Sequence, residues 1–148
     1  MSGFRDIHSH FVYGVDDGAR TEKDMQAMLD AAQAEGITDL YATPHVVPGI
    51  KPFDKETFDR HLKRAADYCY AKGYELALHK GAEIMYTPAI RQQALDNDLP
   101  TLGETDFVLM EFSPSIRYAE LEEAVELMEM WVYRDHRAYG KIPLPLLW

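Results

Sequence analysis

The run Phe4-Arg5-Asp6-Ile7-His8-Ser9-His10, followed by residues 21–36 and then by Ile37-Thr38-Asp39-Leu40-Tyr41-Ala42-Thr43, decides the fold. The outer two runs, Phe4 to His8 and Ile37 to Thr43, are short and apolar enough to be strands. Between them Met25, Met28, Leu29 and Ala32 recur at i, i+3, i+4 and i+7, which places them on one face of a helix. Thr21 stands as the N-cap with Asp24 as its capping-box partner, and Gly36 is placed to end the helix. Strand, loop, helix and strand in that order form a βα unit, the building block of a mainly parallel sheet.

The same alternation continues outward. Pro44 closes the second strand, and Asp54 caps a helix whose buried face is Phe58, Leu62, Ala65, Ala66 and Cys69, ended by Gly73. A third strand falls within residues 74–84. Thr87-Pro88 reads as a cap followed by proline in the first turn of a short helix that reaches about Asp96. Asp106 to Phe112 is the fourth strand, and Leu121, Ala124, Val125 and Met128 mark the fourth helix. About four βα units result, an α/β chain with one domain over residues 1–129. Residues 130–148 break the pattern: Met130 to Arg137 has no clean period, and Pro143 and Pro145 could not sit in the central strand due there.

A chain of 148 residues that is 47% hydrophobic can bury one real core, so a soluble globular protein is expected. Its net charge of −10 argues against nucleic acid or an anionic membrane as partner. The single cysteine, Cys69, allows no disulfide framework and fits a reducing cytosol. Neither a signal core at the N-terminus nor a long apolar run follows, so a cytoplasmic protein without membrane insertion is expected. An open sheet edge after the fourth strand would need cover, which leaves room for a homo-oligomer.

In parallel βα architectures, functional side chains gather at the C-terminal ends of strands. Those ends carry His8 and His10, then His45, then Glu83, then Glu111. His8 and His10 are two residues apart on an extended strand and point to one side, so both imidazoles can reach one cation. Glu83 and Glu111 each end an apolar strand, where a carboxylate needs a cation or an Arg or Lys partner. Asp6 reads as a supporting group. In the loop Gly14-Val15-Asp16-Asp17-Gly18 one aspartate can complete a metal shell, and turn chemistry explains the pair equally well. His61 reads as a surface residue, and His79 and His136 stand apart from the ligand ends. A glycine-rich phosphate loop, a serine nucleophile elbow and a cysteine phosphatase loop are all missing from the sequence. A mixed imidazole and carboxylate set favours manganese, iron or zinc over calcium. Several such ions suit in-line attack of a metal-bound hydroxide on phosphorus, with Glu83 and Glu111 holding the ions.

Asp6-Ile7-His8-Ser9-His10, then Gly14-Val15-Asp16-Asp17-Gly18-Ala19, then Ala42-Thr43-Pro44-His45 resemble the polymerase and histidinol phosphatase (PHP) superfamily, above all its bacterial capsular-polysaccharide protein-tyrosine phosphatases. Gly81-Ala82-Glu83-Ile84 and Val108-Leu109-Met110-Glu111-Phe112 fall where that family places metal-binding glutamates. The resemblance spans about residues 4 to 128. It implies a distorted (β/α) barrel, of which residues 1–129 would be the N-terminal part. It implies a trinuclear site, usually manganese, with His8, His10, Glu83 and Glu111 serving a pair of ions and Asp17 and His45 a third. The implied activity is hydrolysis of phosphotyrosine on bacterial tyrosine kinases that control capsule and exopolysaccharide export. A PHP phosphatase of small molecules such as histidinol phosphate is the alternative enzyme. An inactive fragment that only binds metal or a partner is the alternative of another class.

The chain departs from the family after the fourth helix. The family continues with a strand ending in Ala-His-Pro-Glu-Arg or similar and later supplies an Asp-x-His pair, neither of which follows here. A one-base forward shift across Met130-Trp131-Val132 must read Cys-Gly, because Met and Trp have single codons. Permissible codons beyond it read Tyr-Thr-Gly-Ile-Ile-Ala-His-Thr-Glu-Lys-Tyr, close to the family strand. The expectation is therefore an interrupted reading frame near Met130 and an impaired phosphatase, with residues 130–148 an aberrant tail.

Overall fold

The computed structural model describes residues 3–96 and 98–138. Six strands and four helices follow in the order β1 (Phe4–Ser9), α1 (Glu22–Ala34), β2 (Ile37–Ala42), β3 (His45–Val46), α2 (Lys55–Lys72), β4 (Ala77–Lys80), β5 (Glu83–Met85), α3 (Ile90–Leu95), β6 (Leu109–Glu111) and α4 (Tyr118–Ala138). All the ladder pairs are parallel, as the βα alternation predicts. The strands form two three-stranded sheets, β1-β2-β4 and β3-β5-β6.

The chain steps directly from a strand of the first sheet to one of the second twice, returning once through α2, and both direct steps add a strand to the sequence reading. Residues 74–84 are not one strand: β4 ends at Lys80 in the first sheet, and β5 begins at Glu83 in the second. Likewise β2 stops at Ala42, and after Thr43-Pro44 the short β3 joins the other sheet. Proline has no amide hydrogen for the ladder, so β2 cannot run on through position 44. Gly81 marks the other crossing. A Cβ there would lie 2.9 Å from Leu102 Cδ2 and 3.2 Å from Thr43 Cγ2, so a larger residue would have to push both side chains aside.

Each sheet has its own core. Met25 and Leu29 of α1 and Phe58 and Ala65 of α2 pack with Leu40 of β2 against the first sheet. Ile84, Ile90, Ala94, Leu99 and Leu127 form the second core with α3 and α4. The caps of α1 and α2 follow the sequence: Asp24 N–H donates to Thr21 Oγ1 at 3.2 Å, Thr21 N–H donates back to Asp24 Oδ2 at 2.9 Å, and Thr57 N–H donates to Asp54 Oδ1 at 3.0 Å. Such caps are worth about 1 kcal/mol each. Gly73 ends α2 at φ 68°, a left-handed conformation that favours glycine.

Several faces differ from the periodic reading. Met28 and Ala66 lie at the solvent side of their helices. In α4 the buried pair is Ala124 and Leu127, while Val125 is 51% exposed. This helix packs on the short α3, so a narrow i, i+3 strip suffices where a full stripe was expected. Thr87 does not cap α3. Its hydroxyl is buried and donates to Pro48 O at 2.9 Å, and the helix starts at Ile90 with no side-chain cap. The fourth strand is reduced to three residues. Helix α4 runs across position 130 to Ala138, so the segment without a clean period is helical. Residues 139–148, with the two prolines expected to bar a strand, lie outside the described residues.

Asp30 ties the helical layer together. Its Oδ1 accepts the hydroxyls of Tyr68, on α2, and Tyr74, just beyond it, both at 2.8 Å. Those hydrogen bonds, Tyr74 first, hold the Asp30 carboxyl below its ordinary pKa. A carboxyl depressed in the folded state contributes stability above its unfolded pKa of about 3.9 and loses it as pH falls through the lower folded value. Chemical denaturation followed from pH 6 to pH 3 is expected to show stability falling more steeply for the parent than for D30N. Parallel curves would remove Asp30 from the acid response.

Candidate metal centre

Thr43 fixes where the first strand ends relative to the second. It is fully buried. Its hydroxyl accepts Ser9 N–H at 2.9 Å, and its own N–H donates to Ser9 O at 2.9 Å. One residue on either side stand His10 and, past the proline, His45. Pro44 O accepts Glu83 N–H at 3.0 Å, and the β3–β5 ladder sets His45 opposite Glu83. The β5–β6 ladder sets Met85 opposite Glu111. Register alone therefore brings the ends of four elements to one edge.

The loop after β1 closes over that edge. Phe11, Val12 and Ala19 are buried in the first core and anchor it at both ends. Ala19 N–H donates to His10 O at 3.0 Å, and Gly14 N–H donates to Ala19 O at 2.9 Å. A Cβ on Gly18 would collide with the carbonyl oxygen and Cβ of His10, so no larger residue fits. His61, expected at the surface, is half-buried. Its Nδ1 lies 2.8 Å from Tyr13 O and its ring stacks on Tyr13 at 3.8 Å, so it braces the loop from α2.

The structure brings all six sequence-singled residues together. Glu83, 8% exposed, directs Oε2 to within 3.0 Å of His8 Nε2, 3.2 Å of His10 Nε2 and 3.2 Å of His45 Nδ1. Glu111 Oε2 lies 3.3 Å from His45 Nδ1, and Asp17 Oδ1 lies 3.3 Å from His45 Nε2. The two imidazoles of β1 and its end meet with Nε2 to Nε2 at 3.2 Å. Three groups have ligand atoms within 4.8 Å of one another: His8, His10 and Glu83; His10, Asp17 and His45; His45, Glu83 and Glu111. The grouping shares His10, His45 and Glu83, where the resemblance implied a pair and a separate third site. No Lys or Arg among the described residues forms an ion pair with Glu83 or Glu111. A buried carboxylate ringed by imidazoles and without a fixed cation is a donor set suited to a borderline divalent ion.

Asp6 is no ligand in any of these groups; its Oδ1 accepts His8 N–H at 3.0 Å. His79 lies away from the cluster, paired with Asp39 at 2.9 Å. Cys69 is buried, and burial pushes its thiol pKa up, which removes it as a nucleophile. Asp16 was left undivided from Asp17 by sequence. It faces inward and accepts Gly18 N–H at 3.0 Å and His45 N–H at 3.1 Å, with His10 Nδ1 at 2.7 Å. Burial pushes its carboxyl up, but the His10 hydrogen bond and the two amides outweigh it and leave the pKa below the ordinary value. No local pattern separates Asp16 from Asp17, since the difference lies in contacts to β3.

The family described as capsular polysaccharide synthesis, CpsB/CapC, matches residues 4–136. Tyrosine-protein phosphatase CpsB of Streptococcus pneumoniae is 28% identical over 116 residues, 78% of this chain and 48% of that protein. Tyrosine-protein phosphatase YwqE of Bacillus subtilis (strain 168) is 31% identical over 121 residues, 78% of this chain and 46% of that protein. A chain from the crystal structures of YwqE and CpsB, described as unique metal-dependent tyrosine phosphatases, superposes with a TM-score of 0.73 at 26% identity. It covers 86% of this chain, which covers 51% of it. The chain spans about half the length of the curated relatives it matches.

The collision at Gly18 yields a direct test. G18A should lose about 1–3 kcal/mol in urea denaturation, the usual cost of overpacking. Stability equal to the parent would show that the loop does not need the close approach.

Proposed function

The chain belongs to the capsular polysaccharide synthesis CpsB/CapC family, and from that premise we propose that it is a divalent-metal-dependent hydrolase of phosphotyrosine in proteins. The observation that carries the reading is Glu83 Oε2, held within 3.2 Å of three imidazole nitrogens from β1, its end and β3. His8, His10, Asp17, His45, Glu83 and Glu111 are the ligands we assign, for up to three ions. Manganese is the assigned metal, and iron and zinc share its preference for mixed imidazole and carboxylate donors. When bound, such ions offset charge on phosphoryl oxygens and make water acidic enough to serve as a nucleophile.

The chain's own residues hold and aim. Glu83 belongs to two of the three groups, so its carboxylate would help hold more than one ion. His45 sits between Asp17 and Glu111 and links the loop to β6. The protein as a whole has a net charge of −10, so an anionic phosphoester would be drawn in only where cations reverse the local field. The names of the matched relatives support phosphotyrosine as the substrate class. The partner we assign is a bacterial tyrosine kinase in control of capsule and exopolysaccharide export, met in the cytoplasm. Among the described residues no helix is long and apolar enough to cross a membrane. The two sheets are read as part of a (β/α) barrel of the PHP type.

Equilibrium dialysis against Mn²⁺ tests the reading on the 148-residue chain and its E83Q variant. The parent should retain the ion. E83Q should lose more affinity than the roughly 10–100-fold that follows from removing a ligand's supporting partner. Any phosphate released from a phosphotyrosyl peptide should need Mn²⁺ and stop in EDTA. Equal retention by E83Q, or release indifferent to EDTA, overturns the proposal.

A further inference from the structure

Two adjacent aspartates in one loop do opposite things. The Asp17 side chain is 86% exposed and reaches the outer nitrogen of His45. The Asp16 side chain is 4% exposed and turns away from solvent. Its three partners are all donors, or can be: Gly18 N–H at 3.0 Å to Oδ1, His45 N–H at 3.1 Å to Oδ2, and His10 Nδ1 at 2.7 Å to Oδ2. A carboxylate can only accept and a neutral ring carries one proton, so of the two carboxylate contacts of His10 the shorter one, 2.7 Å to Asp16 against 3.2 Å to Glu83, places that proton on Nδ1. That leaves Nε2 of His10 with its lone pair directed into the cluster, 3.2 Å from Glu83 Oε2 and from His8 Nε2. The same oxygen that fixes the His10 ring holds the backbone at His45, which starts β3 in the other sheet.

We propose that Asp16 is the positioning residue of the centre: one carboxylate imposes the Nδ1-protonated tautomer on His10 and sets the backbone of His45, so that two ligands from different sheets are aimed by one side chain. Asp16 does not itself ligate; it acts through His10 and His45, and its oxygens are engaged by the three donors. The proposal deepens the metal-centre reading above and rests on it for the role of His10.

A brace for the loop would predict something else. In D16N the amide oxygen can still accept Gly18 N–H, so the loop keeps that tie. The amide NH₂ then faces His10 Nδ1 and His45 N–H. It offers a donor where His10 had an acceptor, which drives the imidazole proton to Nε2, the atom meant for the metal. A bracing role would leave the tautomer unmoved, whereas a positioning role would switch it.

The experiment uses the full chain, free of metal, at a pH where imidazole is neutral. Long-range ¹H–¹⁵N spectra identify the His10 signals as those lost in H10Q. The parent should show His10 protonated on Nδ1, and D16N should show it protonated on Nε2. Calorimetric titration with Mn²⁺ should then give about 10–100-fold weaker binding for D16N, the usual cost of losing a ligand's hydrogen-bond partner. Thermal melting in EDTA checks that D16N is folded. An Nε2-protonated His10 in the parent overturns the assignment even if the variant fails to fold, and so does unchanged Mn²⁺ affinity in a folded D16N. A parent that shows the expected tautomer but binds no Mn²⁺ sinks the metal reading and leaves Asp16 in control of His10.

Discussion

A threonine hydroxyl with no access to solvent holds the two halves of this structure in step. Thr43 takes the place of a ladder residue where β2 leaves the first sheet, and its hydroxyl and amide both bond Ser9. That tie carries the β1–β2 register, which pairs Ser9 with Ala42, one residue further toward the start of β3. Two strands that lie side by side in the first sheet, β2 and β4, are each followed directly by a strand of the second, through Thr43-Pro44 and Gly81-Ala82, and this places His10, His45 and Glu83 within reach of one another. The first sheet's core sits under one side of the centre and the second sheet's core under the other. The six clustered residues thus lie on a seam between two separately packed units, a common position for binding sites.

What could be read from the chain depended on whether the signal was local. Helix α1, its capping box at Thr21 and Asp24, and the glycine after α2 each depend on neighbours within a few residues, and each stands in the structure as read. Five of the six cluster residues were also readable, because short apolar runs mark where strands end and the chemistry of His and Glu is plain there, although Glu83 opens β5 where it was expected to close a longer strand. Asp17 was singled out by the resemblance alone. Strand breaks were not. Residues 74–84 carry enough apolar character for one strand, and the break at Gly81 comes from how close Leu102 and Thr43 lie, which no window of sequence contains. The stripe that marks α4 is only half covered for a related reason: Ala124 is buried and Met128 packs on the second core, while Leu121 and Val125 stay exposed beyond the short partner α3. Thr87 had a cap's identity and position, yet its hydroxyl found Pro48 across the chain.

The same divide runs through the loop between β1 and α1. Two aspartates side by side look alike in sequence and differ in the fold by their whole environment, one enclosed by donors and the other open to solvent. Carboxylates crowd this edge, and among the described residues the groups that answer Glu83 are imidazoles, which carry charge only when protonated. Such a cluster repels itself unless a cation or protons enter it.

The loop of residues 10–19 also bears on speed and selectivity of capture. Its ends are sunk in the first core, its middle is closed by its own amides, and His61 stacks against it from α2. A ligand loop that is already ordered gives up little conformational entropy when an ion arrives, so more of the coordination energy remains as affinity. A rigid cage also tolerates a narrower range of ionic radii than a floppy one. The stacked ring of His61, which belongs to none of the three groups, is therefore part of what keeps that loop ordered.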